Sequence, residues 1–282
     1  MGTRSLTLRG RPVLCYSGAA LLRTIRISQK IPASLDALWL ACATPSGIAG
    51  WQADKVTGSV EAGETVGLNW PDLGVSIRLD VLELAERRLV VFGHGDSRVR
   101  FEVKDGEVEL SHSAPFEDDE EIGTESSWRL ALGTLAHYLD RHAGQPRETV
   151  WLVKPAKTSA EAAHAFFTLP DAIAAWLGRA TAPIGVVGSR YRIELGGGGS
   201  MSGVVLAHTE GRDLALRWDE AGYSVITFRT LPSPSGEHER LLVISWSRWS
   251  DLDNAELIAG ELDGALARLV QLLGTGGTTS LN

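Results

Sequence analysis

The chain has 282 residues, of which 44% are hydrophobic and 22% are charged. This length and composition are typical of a soluble globular protein of about two domains. The formal net charge is −8 and the pI is about 5.4. That balance argues against nucleic-acid binding and gives no reason to expect attraction to an anionic membrane surface. No apolar run approaches the ~20 residues that are needed to cross a bilayer.

The first 23 residues are interpreted as a flexible extension, 1–23. Their apolar run at 13–22 resembles a signal peptide only weakly, because it leads straight into a predicted strand without a cleavage-site spacer. The two cysteines, Cys15 and Cys42, lack the spacing of metal ligands, and Cys42 falls at an apolar position of a predicted helix. A buried, reduced thiol and a cytoplasmic location are therefore expected.

The pattern of the first elements is local and clear. Alternating apolar and polar residues at 24–31 predict a β-strand with one covered face. A helix is predicted to begin after Ser34, which is suited to the N-cap position. It is predicted to end at Thr44, because the residue before a proline is disfavoured in the helical region. A second short helix should follow, with Ile48 and Trp51 on one side.

About six strands are predicted after residue 56, separated by turn signals. The strongest signal is the Asp105–Gly106 pair between two alternating stretches, which predicts a tight hairpin. The acidic stretch 117–121 is interpreted as a loop. A long amphipathic helix is then predicted to open at Trp128 and to end in a cationic turn before Gly144.

The sequence repeats with an offset of 125 residues, and residues 34–51 align without a gap with residues 159–176. Identical pairs in this alignment include Ser34/Ser159, Pro45/Pro170, Ile48/Ile173 and Trp51/Trp176. A period this long corresponds to a whole domain, since solenoid and propeller units run about 20–50 residues. Two domains with one order of elements are therefore predicted, at 24–145 and 146–274, followed by a flexible tail at 275–282.

Three segments carry a resemblance to a known superfamily. They are the strand–proline–helix opening that ends at Trp51, the glycine turn at Gly63 with the stretch 81–92, and the closing segment 128–139. On these segments the chain resembles the SRPBCC, or START-like, helix-grip superfamily, and within it the homologues of the activator of the heat-shock-protein-90 ATPase. The resemblance implies an α+β fold of tandem helix-grip domains. Each domain would be a curved antiparallel sheet around a long C-terminal helix, with two short helices after the first strand.

The sequence offers few residues for chemistry. Phosphate-binding loops, nucleophile motifs and metal-type histidine spacings are missing, so no catalytic residue, cofactor or metal is predicted. His94 shares a strand face with Phe92, and it points either into a cavity or into solvent at the strand end. His112, on the following hairpin, is a candidate to point inwards. Trp70 lies on a predicted strand and is either a core residue or a ligand contact.

In the second copy, four aromatic residues are candidates to line a cavity: Tyr191, Trp218, Tyr223 and Trp246. The alternative is that each of them packs in the core. The glycine run at 196–199 would let a hairpin flex. We therefore expect the more open, aromatic-lined cavity in the second copy and a tightly packed scaffold in the first.

Three functions are compatible with these patterns. The first is non-catalytic binding of a small apolar or amphipathic molecule, mainly in the second domain. The resemblance also implies two alternatives: a chaperone-associated protein-binding module, and an enzyme similar to polyketide cyclases and aromatases. The enzyme would need His94 or His112 together with a tyrosine inside a large pocket. A fold that hosts several functions does not choose among them.

Overall fold

A computed structural model of the protein describes residues 22–236 and 239–275. The predicted extension, with Cys15, and the predicted tail fall almost wholly outside these residues. The first half of the described chain contains β1 (Arg23–Lys30), α1 (Leu35–Ala43), α2 (Pro45–Ala49), β2 (Lys55–Gly58), β3 (Thr65–Trp70), β4 (Val75–Ala85), β5 (Leu89–His94), β6 (Ser97–Lys104), β7 (Glu107–Ala114) and α3 (Asp118–Arg141). The second half contains β8 (Glu148–Ala156), α4 (Ala160–Thr168), α5 (Pro170–Ala174), β9 (Gly178–Ala180), β10 (Arg190–Leu195), β11 (Ser200–Thr209), β12 (Asp213–Trp218), β13 (Ser224–Pro232), β14 (Arg240–Arg248) and α6 (Ala255–Thr275).

Each half forms one antiparallel seven-stranded sheet, in which the first strand lies beside the last. The strand orders are β1-β7-β6-β5-β4-β3-β2 and β8-β14-β13-β12-β11-β10-β9. A long helix closes each half, and two short helices follow each first strand. The predicted α+β fold of tandem helix-grip domains is therefore confirmed, while the exact domain limits stay a prediction. None of the described helices is long and apolar enough to cross a membrane.

The local signals of the repeat have the same structural role in both halves. The hydroxyl groups of Ser34 and Ser159 accept hydrogen bonds from main-chain N–H groups in the first turns of α1 and α4, at 3.3 and 3.1 Å. Gly63 and Gly188 occupy the turn before the corresponding strands, with φ of 88° and 82°. Only glycine adopts this left-handed region without steric cost. The two copies therefore share their helix starts and this turn.

The two equivalent tryptophans, Trp51 and Trp176, are buried in matching environments. Each indole N–H donates to the main-chain carbonyl ten residues earlier, at 3.0 and 2.8 Å. Each ring also meets a phenylalanine edge to face, Phe101 in the first half and Phe228 in the second, with ring centroids 6.1 and 5.7 Å apart. The predicted equivalence of the two residues is confirmed, and both rings hold the short helices against their sheet.

Cys42 lies in α1 and is buried, as predicted. Burial in apolar surroundings raises the pKa of its thiol to about 12. The thiol therefore stays protonated at neutral pH and is a poor nucleophile.

The prediction of an acidic loop at 117–121 is wrong, and so is the helix start at Trp128. Helix α3 begins ten residues earlier, with Glu117 as its N-cap and Glu120 completing a reciprocal capping box. The four acidic residues of the first turn face the positive end of the helix dipole, which stabilises negative charge there. The acidic stretch is a helix start rather than a break in structure.

Helix α3 packs on two sides. One stripe contacts the core of the first sheet and consists of Trp128, Leu132, Leu135 and Leu139. The opposite side packs against β11 and β12 of the second sheet. There Leu130 joins a small apolar cluster with Ala207 and Ala215. A Cβ atom at Gly133 would lie 3.1 Å from the carbonyl oxygen of Leu206, so glycine permits this close approach. The other face of the second sheet packs against α6.

A buried polar network joins α3 to the second sheet. Asp213 of β12 is only 2% exposed to solvent, and it accepts a hydrogen bond from Arg229 Nε at 3.1 Å. The hydroxyl of Ser126 also donates to the Asp213 carboxylate. Arg229 in turn donates to the hydroxyl of Ser127 at 2.6 Å. A buried charge needs partners of this kind, because desolvation is otherwise costly.

We expect Trp51→Ala to lower the free energy of unfolding by about 3–5 kcal/mol, the usual cost of emptying a large aromatic site in a core. Trp176→Ala should cost a similar amount, because its environment matches. Urea unfolding followed by circular dichroism measures both values. A Trp51→Ala protein as stable as the wild type would instead place the ring outside the core.

A second prediction concerns His137, which lies on α3 with its Nε2 atom 2.6 Å from the carbonyl oxygen of Tyr223. Burial lowers the pKa of His137 to about 4, from an ordinary value of 6.5. Between these values the unfolded chain binds a proton that the folded chain does not, so stability falls as the pH drops from 6.5 towards 4. We expect His137 to make the protein about 2 kcal/mol less stable at pH 5 than at pH 7. Burial also lowers the pKa values of His112 and His164, so these residues add to the loss in the same direction.

The matched variant is His137→Gln, whose amide can still donate to the Tyr223 carbonyl. Urea unfolding at pH 7 and pH 5 should show a smaller loss of stability for this variant than for the wild type. Carboxylates contribute little in this range, because those with lowered pKa values gain protons only at more acidic pH. An identical pH dependence in both proteins would contradict the assignment to His137.

Candidate ligand-binding cavity

A cavity of about 400 Å³ lies between the first sheet and helix α3. Its wall is mostly apolar and includes Val66, Leu68, Leu79, Phe92 and Phe101. Polar side chains also reach it: Gln52, His94, Ser97, His112 and Glu120. The walls come from the strands, from the short helices and from α3, so the cavity is the space that a curved sheet leaves when it wraps around a helix.

A chain of hydrogen bonds runs along one side of the cavity. The indole N–H of Trp128 donates to Nδ1 of His112 at 2.9 Å. Because an indole nitrogen is only a donor, Nδ1 is the acceptor, and the proton of the neutral ring lies on Nε2. That N–H donates to the hydroxyl oxygen of Ser97 at 2.7 Å. Burial lowers the pKa of His112, which favours the neutral ring.

This arrangement determines what the polar side of the cavity can do. Ser97 accepts from His112, so its own hydroxyl hydrogen can be donated to an acceptor atom of a ligand. His112 is not placed to take a proton from Ser97, because its facing nitrogen already carries one and the other is bonded to Trp128. The geometry therefore provides hydrogen-bonding recognition and lacks the serine–base contact that activates a nucleophile.

His94 lies at the mouth of the cavity, at the end of β5. Its ring is exposed, and Nδ1 lies 2.9 Å from the carbonyl oxygen of Arg78. Nδ1 must donate to this carbonyl, which leaves Nε2 as an acceptor in the neutral ring. From the sequence, His94 was expected to point either into a cavity or into solvent at the strand end. In the structure it does both, because it ends β5 with an exposed ring and also lines the cavity. Half-buried Trp70 lines the same cavity. Contact of these residues with a ligand stays a prediction.

Strand register identifies which residue of the second half corresponds to His112. His112 pairs with Ile25 across β7 and β1. Val150 stands 125 residues after Ile25, and it pairs with Trp246 across β14 and β8. Trp246 therefore occupies the position of His112. Its indole N–H donates to a serine hydroxyl, Ser224 Oγ at 2.8 Å, just as the ring of His112 contacts Ser97.

Two more cavity residues have a larger aromatic counterpart. His94 pairs with Ser97, and Trp218 pairs with Ser224, so Trp218 occupies the position of His94. The offset of 125 places Tyr191 at the position of Val66. The rings of Trp218 and Trp246 lie with their centroids 6.2 Å apart. In the second half, these three aromatic side chains thus fill the space that corresponds to the cavity of the first half.

The expectation of a more open, aromatic-lined cavity in the second copy is therefore wrong. Trp246, Trp218 and Tyr191 are 0%, 5% and 7% exposed and belong to the packed core. Tyr223 is not on a strand. It lies in the turn before β13 with φ of 56° and is 42% exposed. Three of the four aromatic residues fill the expected cavity, and the fourth lies outside it.

The second half does have a surface groove of about 700 Å³ beside the first turns of α6. Of the four aromatic candidates, only Trp218 borders it. The glycine run at 196–199 forms the turn between β10 and β11, and Gly196 and Gly197 border the groove as well. Glu256, Glu261 and Arg268 make its lining more polar than that of the cavity in the first half.

Sequence analysis missed Ser97 and Glu120 as cavity residues. For Ser97 a signal existed, because alternation places residues 97, 99 and 101 on one strand face, and Val99 and Phe101 are buried. Glu120 was hidden by the interpretation of its segment as a loop. Its place in the first turn of α3 brings it to the cavity.

No protein-family model matches the chain, and no curated protein matches it. Similar solved structures include DynU16, a protein of the dynemicin biosynthetic locus, with 20% identity, coverage of 89% of this chain and 98% of that chain, and a TM-score of 0.40. The Aha1 dimer from Colwellia psychrerythraea has 17% identity, coverage of 42% and 96%, and a TM-score of 0.37. CalU16 from Micromonospora echinospora has 23% identity, coverage of 42% and 76%, and a TM-score of 0.37. All three TM-scores are below 0.5, and these similarities carry no conclusion about this chain.

Proposed function

We propose that the protein binds a small apolar or amphipathic molecule, without turnover, in the cavity between the first sheet and α3. The observation that carries this proposal is an apolar cavity of about 400 Å³ with polar groups gathered on one side. Ligand pockets in proteins typically measure about 300–1,000 Å³ and combine an apolar wall with a few polar groups. The proposal keeps the ligand class expected from the sequence and moves the site from the second half to the first.

The wall of the cavity favours a ligand with a planar aromatic part. Aromatic rings contribute several of its surfaces, among them Phe92, Phe101 and Trp128, and rings pack well edge to face. The polar side offers a hydroxyl donor at Ser97 and an imidazole acceptor at His94. A carbonyl oxygen on the ligand would accept a hydrogen bond from Ser97, and a phenol hydroxyl would donate one to Nε2 of His94.

The two alternatives have less support. An enzyme of the cyclase type would need a base that is held inside the cavity. Both ring nitrogens of His112 are already engaged. The other two candidate bases, His94 and Glu120, are exposed residues of the lining, and Glu120 accepts a hydrogen bond from the main chain of Glu117.

A protein-binding role would need a continuous exposed apolar patch. The three most exposed large apolar residues of the described chain, Val186, Leu257 and Leu22, belong to three different segments. The exposed Val75, Ile77 and Val153 do lie together, but they line a concave void between the two halves.

We expect the wild-type protein to bind 1-N-phenylnaphthylamine, a neutral aromatic dye, with saturable fluorescence enhancement. Leu79→Trp should weaken this binding by about tenfold or more, because Leu79 lines the cavity and a larger ring occupies its space. Fluorescence titration measures the change. Leu84→Trp is the matched control, because Leu84 lies on the same strand and is partly buried outside the cavity lining.

Thermal unfolding of both variants checks that they fold. If folded Leu79→Trp binds the dye as tightly as Leu84→Trp and the wild type, the cavity is not the binding site. If the wild type binds no dye at all, the proposed ligand class is wrong for this cavity.

The polar side of the cavity has its own test, with 6-propionyl-2-(dimethylamino)naphthalene, a dye that carries a ketone acceptor. Ser97→Ala should weaken binding of this ketone by about 2- to 12-fold, the value of a neutral hydrogen bond of roughly 0.5–1.5 kcal/mol. Binding of 1-N-phenylnaphthylamine should stay within about twofold of the wild type. Equal effects on both dyes would show that Ser97 shapes the cavity without donating to the ligand.

A further inference from the structure

A second void, of about 570 Å³, lies where the two halves meet, and we call it the inter-sheet cleft. On one side it is bounded by α3 and by the β3–β4 hairpin of the first sheet. On the other side it is bounded by β8, β13 and β14. Four residues line both the cleft and the cavity: Trp51, Gln52, Trp70 and Ile77. The two voids are therefore neighbours that share a thin wall of side chains.

The face that the second sheet presents to the cleft is the one that does not contact α6. Along β13, Ile226 and Phe228 pack in the core of the second half, whereas Val225, Thr227 and Arg229 line the cleft. On β8 and β14 the cleft is lined by small and medium side chains, among them Val153, Val243, Ser245 and Ser247. This floor combines apolar surface with hydroxyl groups, which suits an amphipathic molecule.

The ionisable side chains that line the cleft are both basic, and each is paired with a carboxylate behind the lining. They are Arg147 and Arg229, and no acidic side chain of the described residues borders the cleft. The carboxylates that pair with these arginines, Asp54 and Asp213, lie outside the lining. Arginine pairs well with carboxylates, because its donors match their geometry.

Arg147 shows that this charge is incompletely satisfied. Its side chain is 5% exposed, and it donates from Nη1 to the carbonyl oxygen of Trp51 at 2.7 Å. Nη2 lies 3.4 Å from Asp54, whose other oxygen already accepts from Trp151 at 2.7 Å. Nε donates to no atom of the residues that the structure describes. Burial lowers the pKa of Arg147 to about 10, so the group stays charged at neutral pH.

We propose that the inter-sheet cleft is a second compartment of the ligand site and takes the carboxylate-bearing end of an elongated amphipathic molecule. The apolar end of the same molecule fills the cavity, and the middle of the ligand displaces the partly buried side chains of Gln52 and Trp70 in the shared wall. This inference rests on the proposed function. It gives the second half a role in binding although its own core is filled, because the outer face of its sheet supplies the floor of the cleft.

Two probes with a common aromatic group test the proposal. Dansylamide is short, and 11-(dansylamino)undecanoic acid adds a long chain that ends in a carboxylate. Val153→Trp places a large ring at a cleft position that is 40% exposed, so the fold should tolerate it. Val187→Trp is the matched control, because Val187 is exposed and does not line the cleft or the cavity.

Fluorescence titration should show that Val153→Trp weakens binding of the long acid by about tenfold or more and leaves dansylamide within about twofold of the wild type. Val187→Trp should change neither. Equal binding of the long acid by the Val153→Trp and Val187→Trp proteins would overturn the second compartment. Leu79→Trp distinguishes failure of the proposed function from failure of the second compartment. If this variant does not weaken dansylamide binding, the cavity is not the binding site, and the proposed function is wrong.

The charge of the end group is tested with the methyl ester of the long acid. The wild type should bind the acid about tenfold or more tightly than the ester, since a hydrogen bond between charged groups outweighs a neutral one. Rising salt concentration should reduce this preference only slightly, because the arginine is buried. Equal affinity for acid and ester would overturn the assignment of a carboxylate to the cleft.

Discussion

Helix α3 is the element on which both halves depend. The apolar side chains on one side of this helix pack inside the curve of the first sheet, and the opposite side of the helix packs against the second sheet. Gly133 lets the helix approach the second sheet closely, and Ser126 and Ser127 join it to the buried Asp213–Arg229 pair. A shift of this helix would change the cavity wall and the contact between the halves together. The position of the second sheet is thereby coupled to the shape of the cavity.

The two copies keep one scaffold and differ in how they fill it. The serine N-caps, the glycine turns and the tryptophans of the short helices keep the same contacts. The difference lies at three positions on the inner face of the sheet, where Val66, His94 and His112 correspond to larger aromatic residues. A filled core gains dispersion contacts, whereas a cavity forfeits them. The first half therefore lacks packing contacts that a filled core would have, and it keeps a volume that a ligand could occupy. The second half has a filled core and packs against α3.

The polar side of the cavity depends on the same helix. Trp128 belongs to α3, and its N–H fixes which nitrogen of His112 carries the proton. That proton in turn fixes Ser97 as a donor towards the cavity. In the second half Trp246 donates directly to Ser224, so the ring–serine contact is kept without a cavity beside it. The proposed recognition of a ligand therefore depends on the position of α3 and on a single tautomer of His112.

The sequence determined the features that are local or periodic. The offset of 125 residues, the serine caps, the prolines and the alternating strands specify the elements and their duplication, because each acts within a few residues. Tertiary structure decided which copy contains the cavity, since free volume depends on side chains that meet across strands, as His112 and Trp246 do at one register position. It also decided that α3 is buried on two sides. Ser126, Gly133 and His137 are small or polar, and only the close packing of a second sheet makes such a stripe an interior surface.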